Sequence, residues 1–425
     1  MDLTIHRGTA QIGGTVITVR TENACIALDA GTSLEGDSPE DTQRLSAILW
    51  QARDGIFLTH AHPDHSGLAM DKNLRSPVFM TEETQKILLA SSLLGNGMSV
   101  SKDLVRKLPL GRPICVGDLS VTAFEVDHSV AGAVALLVEG DGVRLLYTGD
   151  LRMHGLHQTY SEKLCRALAG RVDVLLMEGT NLDSQRPDVV KSEMDVHSEI
   201  AAAVGAARGL VLAHCSPQNV DRLLGFINAA RTSRRIFVAD VYSAFVLYLL
   251  KRCLPDHPDL HNPPPYYRTW LNKASEARAE RVWKGAGKFM PLVESAQVRL
   301  TDVLADPGRY VLLFRPSMLS MDFGGKLPKD TTLVYSAWRG YLSEEPWKTS
   351  WVPVLDHLGD ANVRHIHTSG HINRSDWVSF VDRIRPGTII PVHTNKPEAY
   401  AEAFPRVRRL EDGEVFSIPQ RSKDN

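Results

Sequence analysis

Apolar residues in this chain gather in short runs that recur along its whole length: Gly14–Val19, Ala24–Leu28, Gly55–Leu58, Arg144–Tyr147, Val172–Met177, Leu210–Ala213, Ile236–Ala239, Tyr310–Phe314, Thr332–Tyr335 and Thr388–Pro391. Short, nearly continuous runs of β-branched and aliphatic residues predict strands buried on both faces. Between them, Ser192–Arg208 and Asp221–Arg231 space their apolar positions with the helical period. Strands alternating with helices predict an α/β fold class. A membrane span needs about 18 apolar residues in a row. The run AFVLYLL at Ala244–Leu250 is far shorter, so a soluble chain is expected.

At 425 residues, with 43% hydrophobic and 23% charged residues, the chain is an ordinary globular one of about two or three domains. It can bury a large core without disulfides. Its 5 cysteines are scattered and form no CxxC pair, which fits neither a disulfide framework nor a zinc knuckle and points to a reducing cytoplasm. The start, MDLTIHRGTAQIGG, lacks the basic stretch and apolar core of a signal peptide. The 48 Lys+Arg against 50 Asp+Glu give a formal net charge of −2, which alone argues against a chain coated in basic charge for nucleic acid. The balance is uneven, however. Arg231–Lys288 carries 11 basic and 5 acidic residues, a net of +6, leaving −8 for the remainder. Such a segment can be a solvated face or a local grip on phosphates.

The densest chemistry is FLTHAHPDHSGL at Phe57–Leu68, where His60, His62, Asp64 and His65 spell H-x-H-x-D-H directly after an apolar run. His60 and His62, two apart at a strand end, can point the same way. Pro63 is expected to keep the segment out of helix, leaving Asp64 and His65 on a turn that leads into one. Imidazole and carboxylate donors suit zinc, with manganese as the alternative. One loop does not complete a site. Further candidates stand where strands end: His128 in FEVDHSVAG, Asp150 in LLYTGD and His393 in IIPVH, the end at which layered α/β folds gather ligands. Asp127 is a candidate for supporting a ligand from behind.

This pattern resembles the metallo-β-lactamase superfamily, which implies an αββα sandwich holding two metal ions. Carried over residue by residue, the resemblance implies one metal on His60, His62 and His128, a second on Asp64, His65 and His393, and Asp150 bridging them. Two Zn2+ per chain are therefore expected, with Mn2+ possible. Three further features narrow the resemblance. Glu178 ends the run VLLMEGTN, His365–Asn373 reads HIHTSGHIN, and His393 follows His371 by 22 residues. This layout is similar to the β-CASP nucleases of the ribonuclease J type. It implies a metallo-β-lactamase domain begun by residues 1–182, a β-CASP domain inserted at 183–360, and a return to the first domain at 361–425.

The resemblance implies a nuclease in which His371 is the general acid, supported by Glu178, with Asp64 also in the catalytic set. Products would carry 5′-phosphate and 3′-hydroxyl ends. A histidine at the position of His393 favours single-stranded RNA over DNA. His367, Ser369, Gly370 and His371 match a segment that contacts substrate phosphate. Arg315 and Ser336 end strands of the inserted domain and are further substrate candidates. Trp338 and Tyr341 can stack on bases, although burial is the stronger expectation for them. A DNA nuclease of the same fold and a non-catalytic RNA-processing scaffold are the alternatives. The chain ends about thirty residues after His393, without room for ribonuclease J's C-terminal domain, so a homodimer is expected only as a possibility.

Overall fold

In the computed structural model, which describes residues 1–95, 98–182, 191–254, 257–276, 284 and 287–419, the apolar runs become strands of three sheets. The chain divides into two units. One comprises Met1–Leu88, Met98–Val190 and Gly370–Asn425, the other Leu89–Gly97 and Lys191–Ser369.

The first unit begins with β1 (Asp2–Arg7), β2 (Val16–Arg20), β3 (Cys25–Leu28), β4 (Gly55–Phe57), β5 (Val78–Met80), β6 (Val105–Lys107), β7 (Ile114–Val116), β8 (Leu119–Glu125), β9 (Val134–Gly140), β10 (Val143–Tyr147) and β11 (Val174–Glu178). The second unit holds β12 (Val211–His214), β13 (Ile236–Asp240), β14 (Tyr267–Trp270), β15 (Tyr310–Leu313), β16 (Thr332–Tyr335) and β17 (Val363–His365). The chain then returns to the first unit with β18 (Thr388–Val392) and β19 (Val415–Ser417).

Two sheets build the first unit, in the orders β19-β1-β2-β3-β4-β5-β6 and β18-β11-β10-β9-β8-β7. Leu3, Ile5, Ile17 and Val19 of one sheet share a buried cluster with Val121, Leu136, Leu145 and Leu176 of the other. The period of two in β1 puts every second residue into that interior. The other face of the second sheet, through Leu137, Leu146, Leu175 and Met177, packs on helices Gln158–Leu168 and Arg374–Ile384 by way of Leu164, Leu168, Trp377 and Phe380. This is the α/β class expected, an αββα sandwich. Parallel pairing decides where chemistry collects. β10, β11 and β18 run together, with Tyr147 beside Leu176 and Glu178 beside Val392, so residues following each strand emerge at one edge. β3 and β4 do the same, with Leu28 beside Phe57.

The second unit is a parallel sheet in the order β14-β13-β15-β12-β16-β17. Its helices Glu193–Ala206 and Val220–Thr232 start at the caps Ser192 and Asn219, whose side chains accept from Asp195 N and Arg222 N. Wholly buried Arg222 pairs bidentately with Glu193, Nε–Oε1 2.6 Å and Nη2–Oε2 2.9 Å. β17 pairs with β16, so the boundary expected at 360/361 falls inside this unit. The one expected at 182/183 abuts residues 183–190, outside the described residues. Ala244–Leu250 lies in the helix Val241–Leu250, which buries most of its side chains. Among the described residues no helix is long and apolar enough to cross a membrane.

Candidate metal centre

His60 and His62 follow β4 directly, and Pro63 opens a short helix, Pro63–Ser66, rather than preventing one. The first helical position suits proline because its missing N–H has no intrahelical partner there. Asp64 and His65 therefore stand inside this turn. The backbone carries them deep: Thr15 N–H donates to the Asp64 carbonyl at 3.0 Å, and a Cβ at Gly31 would lie 1.8 Å from that carbonyl oxygen, so only glycine fits. Gly149, at φ +54°, turns the chain between β10 and Asp150, where a Cβ would lie 2.8 Å from Thr59. Glycine there lets the Asp150 loop close against the His60 loop. His393 adopts φ +54° although it is not glycine, a strained backbone of the kind that clusters at functional sites.

Three of the imidazoles are fixed from behind. Asp29, wholly buried after β3, accepts from Thr59 N–H (2.7 Å), from the Thr59 hydroxyl (2.8 Å to Oδ2), from His65 Nδ1 (2.7 Å) and from the Tyr147 hydroxyl (2.8 Å). Because the Thr59 hydroxyl gives its proton to Asp29, its oxygen accepts from His60 Nδ1 at 3.0 Å. His128 Nδ1 donates to the Gly370 carbonyl at 2.6 Å. These bonds turn the Nε2 lone pairs of His60, His65 and His128 inward. His60 Nε2 and His128 Nε2 lie 3.1 and 3.2 Å from His62 Nδ1. A tetrahedral ion bonded at about 2.0–2.1 Å sets its nitrogens roughly 3.3 Å apart, close to that spacing.

Among the described residues three groups of side chains can hold an ion, each with ligand atoms within 4.8 Å of one another: His60, His62, His128 and Asp150; Asp64, His65, Asp150 and His393; Asp150, Glu178, His371 and His393. Asp150 belongs to all three. His65 Nε2 lies 3.2 Å from Asp150 Oδ2, and His393 Nε2 3.3 Å from Asp64 Oδ2. Asp150 Oδ1 and His65 Nε2 are buried without a hydrogen bond, which such a site would leave open for a cation. Burial drives the His60, His62 and His128 rings below the usual histidine range, keeping their lone pairs available. Burial would also lower His65, but Asp150, Asp29 and Asp64 lift it well above that range. Burial opposes ionisation of Asp150, and the surrounding histidines His393, His65 and His371 more than reverse it. The donor set thus fits divalent metal: the His60, His62 and His128 nitrogens are neutral, the Asp150 oxygens are ionised, and a bound cation would take the place of the proton that the carboxylates hold on His65.

Glu178, wholly buried at the end of β11, binds His371 Nδ1 at 3.1 Å and accepts from the backbone N–H groups of Leu151, Thr180 and Ile372. His371 Nδ1 is also 3.7 Å from Asp150 Oδ2. Burial alone would lower His371, but Glu178 and Asp150 raise it to about 9. Asn181 Nδ2 donates to the His371 carbonyl at 3.0 Å, and Thr180 Oγ1 lies 2.9 Å from His393 Nδ1.

The sequence candidates thus fall into two sets. His60, His62, Asp64, His65, His128, Asp150, Glu178, His371 and His393 come together in the first unit, with Gly370 at their edge. Arg315, Ser336, His367 and Ser369 belong to the second unit. There Ser336 is buried, its hydroxyl accepting from Arg222 Nη1 at 2.6 Å. Arg315 bonds Asp240 and the Cys215 carbonyl, with Nη2 buried and unbonded. His367 Nδ1 is 3.3 Å from Arg222 Nη1, and burial holds that ring down at about 3. Contrary to the expected burial, Trp338 and Tyr341 are 41% and 39% exposed. Asp127 forms a buried pair with Arg152, Nε–Oδ1 2.8 Å. Sequence reasoning passed over Asp29, Thr59, Tyr147 and Thr180. The one signal for Asp29 was a carboxylate ending an apolar run and followed closely by Gly31.

Residues 25–215 match a family described as beta-lactamase superfamily domain, and residues 360–404 one described as Zn-dependent metallo-hydrolase RNA specificity domain. Ribonuclease J of Helicobacter pylori strain J99 is 25% identical over 436 residues, covering 97% of this chain and 59% of that protein. Ribonuclease J of Sinorhizobium meliloti is 24% identical over 381 residues, covering 85% and 63%. Subunit 3-I of the cleavage and polyadenylation specificity factor of Arabidopsis thaliana is 23% identical over 388 residues, covering 80% and 51%. The chain thus spans only 51–63% of the length of these curated relatives. The crystal structure of an Enterococcus faecalis V583 protein of unknown function has the same fold, with a TM-score of 0.76 over 98% of this chain and 99% of that one at 23% identity. Sandwich, loop order and relatives agree: the chain carries a metallo-β-lactamase domain and is similar to the β-CASP, ribonuclease J-like nucleases.

Proposed function

We propose that this protein is a metal-dependent ribonuclease that hydrolyses phosphodiesters in single-stranded RNA, leaving 5′-phosphate and 3′-hydroxyl ends. The observation that carries the reading is the contact of His371 with Glu178 at 3.1 Å, beside ligand groups that share Asp150. His60, His62 and His128 would hold one Zn2+ and Asp64, His65 and His393 a second, with Asp150 common to both and Mn2+ the alternative. Bound divalent metal would supply charge neutralisation at the phosphoryl oxygens and a water acidic enough to attack phosphorus.

The chain's own groups would do the rest. A phosphodiester releases an alkoxide, which needs a proton as the P–O bond breaks. His371 keeps Nδ1 on Glu178 and so has Nε2 to offer that proton to the departing 3′ oxygen. Glu178 and Asp150 favour its protonated form, and cations nearby would bring it back towards neutrality, where a general acid works best. Gly370 ties the segment before His371 to His128, so the acid and a metal ligand move as one. His367 and Ser369, with Arg315 and Ser336, are the remaining candidates for contact with the strand.

The test is digestion of matched 5′-labelled single strands of RNA and DNA by metal-loaded protein. Cutting of RNA is expected, with loss of most cleavage but not of metal in His371→Ala. RNA left intact while DNA is cut would move the reading to a DNA nuclease. Full activity in His371→Ala would remove the general-acid role.

A further inference from the structure

In a parallel sheet every strand starts at the same edge, so residues just ahead of the strands become neighbours however distant in sequence. In the second unit those residues are cations. Arg234 precedes β13, Arg309 precedes β15, Arg208 precedes β12 and Lys329 precedes β16, and these are four consecutive strands of the sheet. All four are exposed. Their loops touch: Arg235 Nη1 donates to the Gly209 carbonyl at 2.8 Å, a Cβ at Gly209 would meet the Asp330 carbonyl at 2.5 Å, and one at Gly308 would meet the Arg208 carbonyl at 3.0 Å. At about 4.8 Å per strand, the row is roughly 14 Å long. Exposed Arg231 extends it, its guanidinium 6.0 Å from the Tyr266 ring just ahead of β14.

Asp306 and Asp330 are the acids within three residues of these five exposed cations, a net of +3. Cations beyond helix C-termini offset the helix dipole, which accounts for Arg208 after Glu193–Ala206 and for Arg231 in the last turn of Val220–Thr232. It does not account for Arg309, which closes a 3₁₀ turn, or for Lys329, well past the helix Ser317–Met321. Arg234 holds φ +57°, a strained left-handed turn that keeps it at the edge.

We propose that this edge binds the phosphate backbone of single-stranded RNA, as a sequence-independent contact at the opposite edge of the sheet from Arg315 and Ser336. It rests on the ribonuclease reading for its ligand. A row of arginines suits phosphates, whose oxygens match the planar guanidinium fork two at a time, better than it suits the isolated carboxylates of a protein.

The experiment compares the full chain with a variant carrying Arg208→Gln, Arg309→Gln and Lys329→Gln, both with His371→Ala so that RNA survives. Anisotropy of labelled strands of about 5 and about 30 nucleotides is followed across a KCl series. Each phosphate contact adds about 0.7 to the salt slope on a single strand, so three lost contacts lower the slope for the long strand by about 2. The short strand, which cannot occupy both edges, should bind unchanged, and the melting temperature should hold. An unchanged slope on the long strand would overturn the proposal. So would equal weakening on both lengths with a lowered melting temperature, which is the result for cations that merely cap helices. Polyglutamate displacing the long strand from the parent as well as unlabelled RNA does would assign the edge to acidic protein. Cleavage by the chain with His371 intact is scored separately, so a protein that cuts nothing but keeps the steep slope fails only the nuclease reading.

Discussion

Asp29→Asn is the perturbation that tests how the metal centre is held. The wholly buried carboxylate accepts from four donors: Thr59 N–H, the Thr59 hydroxyl, His65 Nδ1–H and the Tyr147 hydroxyl. Asparagine keeps one acceptor oxygen and turns an NH2 towards groups that are themselves donors. At least two buried donors then lose their partners, and each such loss costs about 1–3 kcal/mol, so roughly 2–6 kcal/mol is expected. In a unit of this size the melting temperature should fall by on the order of 10 °C. The second consequence is chemical. Without Asp29 nothing directs His65 to keep its proton on Nδ1, and loss of such a supporting bond weakens metal binding about 10–100-fold. Metal content of protein equilibrated against a chelator-buffered zinc series reads the second effect, and calorimetry the first. Tyr147→Phe is the control, because it removes one donor and leaves the carboxylate with three; about 1 kcal/mol and unchanged metal affinity are expected. Asp29→Asn with the parent's metal content and melting temperature would refute the reasoning.

Asp150→Ala should strip metal from the protein, because that side chain is common to all three ligand groups, whereas His371→Ala should keep it and lose about 10²–10⁴-fold in cleavage; elemental analysis beside activity separates the two. Arg222→Met removes the bidentate partner of buried Glu193 in the second unit, at about 3–5 kcal/mol, while the double replacement with Glu193→Leu should recover much of that loss in urea denaturation. Acid should weaken the second unit: burial depresses His214 and His367 to about 3. Between there and the unfolded value near 6.5 the unfolded chain binds the extra protons, so stability is full above pH 6.5 and falls as pH drops towards 3. The slope is at most about 1.4 kcal/mol per pH unit for each ring, and His214→Gln should flatten it in denaturation curves at pH 7, 5.5 and 4.5.

How far this was legible in the sequence follows from how each residue announces itself. His60, His62, Asp64 and His65 are adjacent, so their density alone marks them. His128, Asp150, Glu178 and His393 are single residues, readable because each stands at or just past a strand end and parallel strands deliver such ends to one edge. Asp29 stands at a strand end too, yet one aspartate ahead of Ala-Gly is ordinary turn chemistry. Its role exists only once β3 lies beside β4 and brings His65, 36 residues on, above it. Ser336 shows the converse. A strand-end position does not say which way the side chain turns, and its hydroxyl is taken by Arg222, 114 residues earlier in the chain. Strands of three residues such as β5, β6, β7, β17 and β19 have no room to display a period. β8, reading LSVTAFE, alternates instead of forming an apolar run.

Charge illustrates the same limit. A window along the chain gathers sequence neighbours, and the +6 over Arg231–Lys288 pointed to that stretch as the basic face. In the folded unit part of the stretch is taken up locally: Arg235 is buried against the Ala207 and Gly209 carbonyls and Lys251 turns to Asp259 and the His257 carbonyl, while Arg252, Lys273, Lys284 and Lys288 are exposed and Arg278 and Arg281 lie outside the described residues. Arg231 and Arg234 keep an exposed place, and their spatial neighbours Arg208, Arg309 and Lys329 come from outside the window. What concentrates charge is the common starting edge of parallel strands, as their common finishing edge concentrates ligands. A near-neutral chain can therefore present one line of cations to a phosphate backbone while part of its acidic excess, in Asp64, Asp150 and Glu178, is set among histidines at a centre shaped for metal.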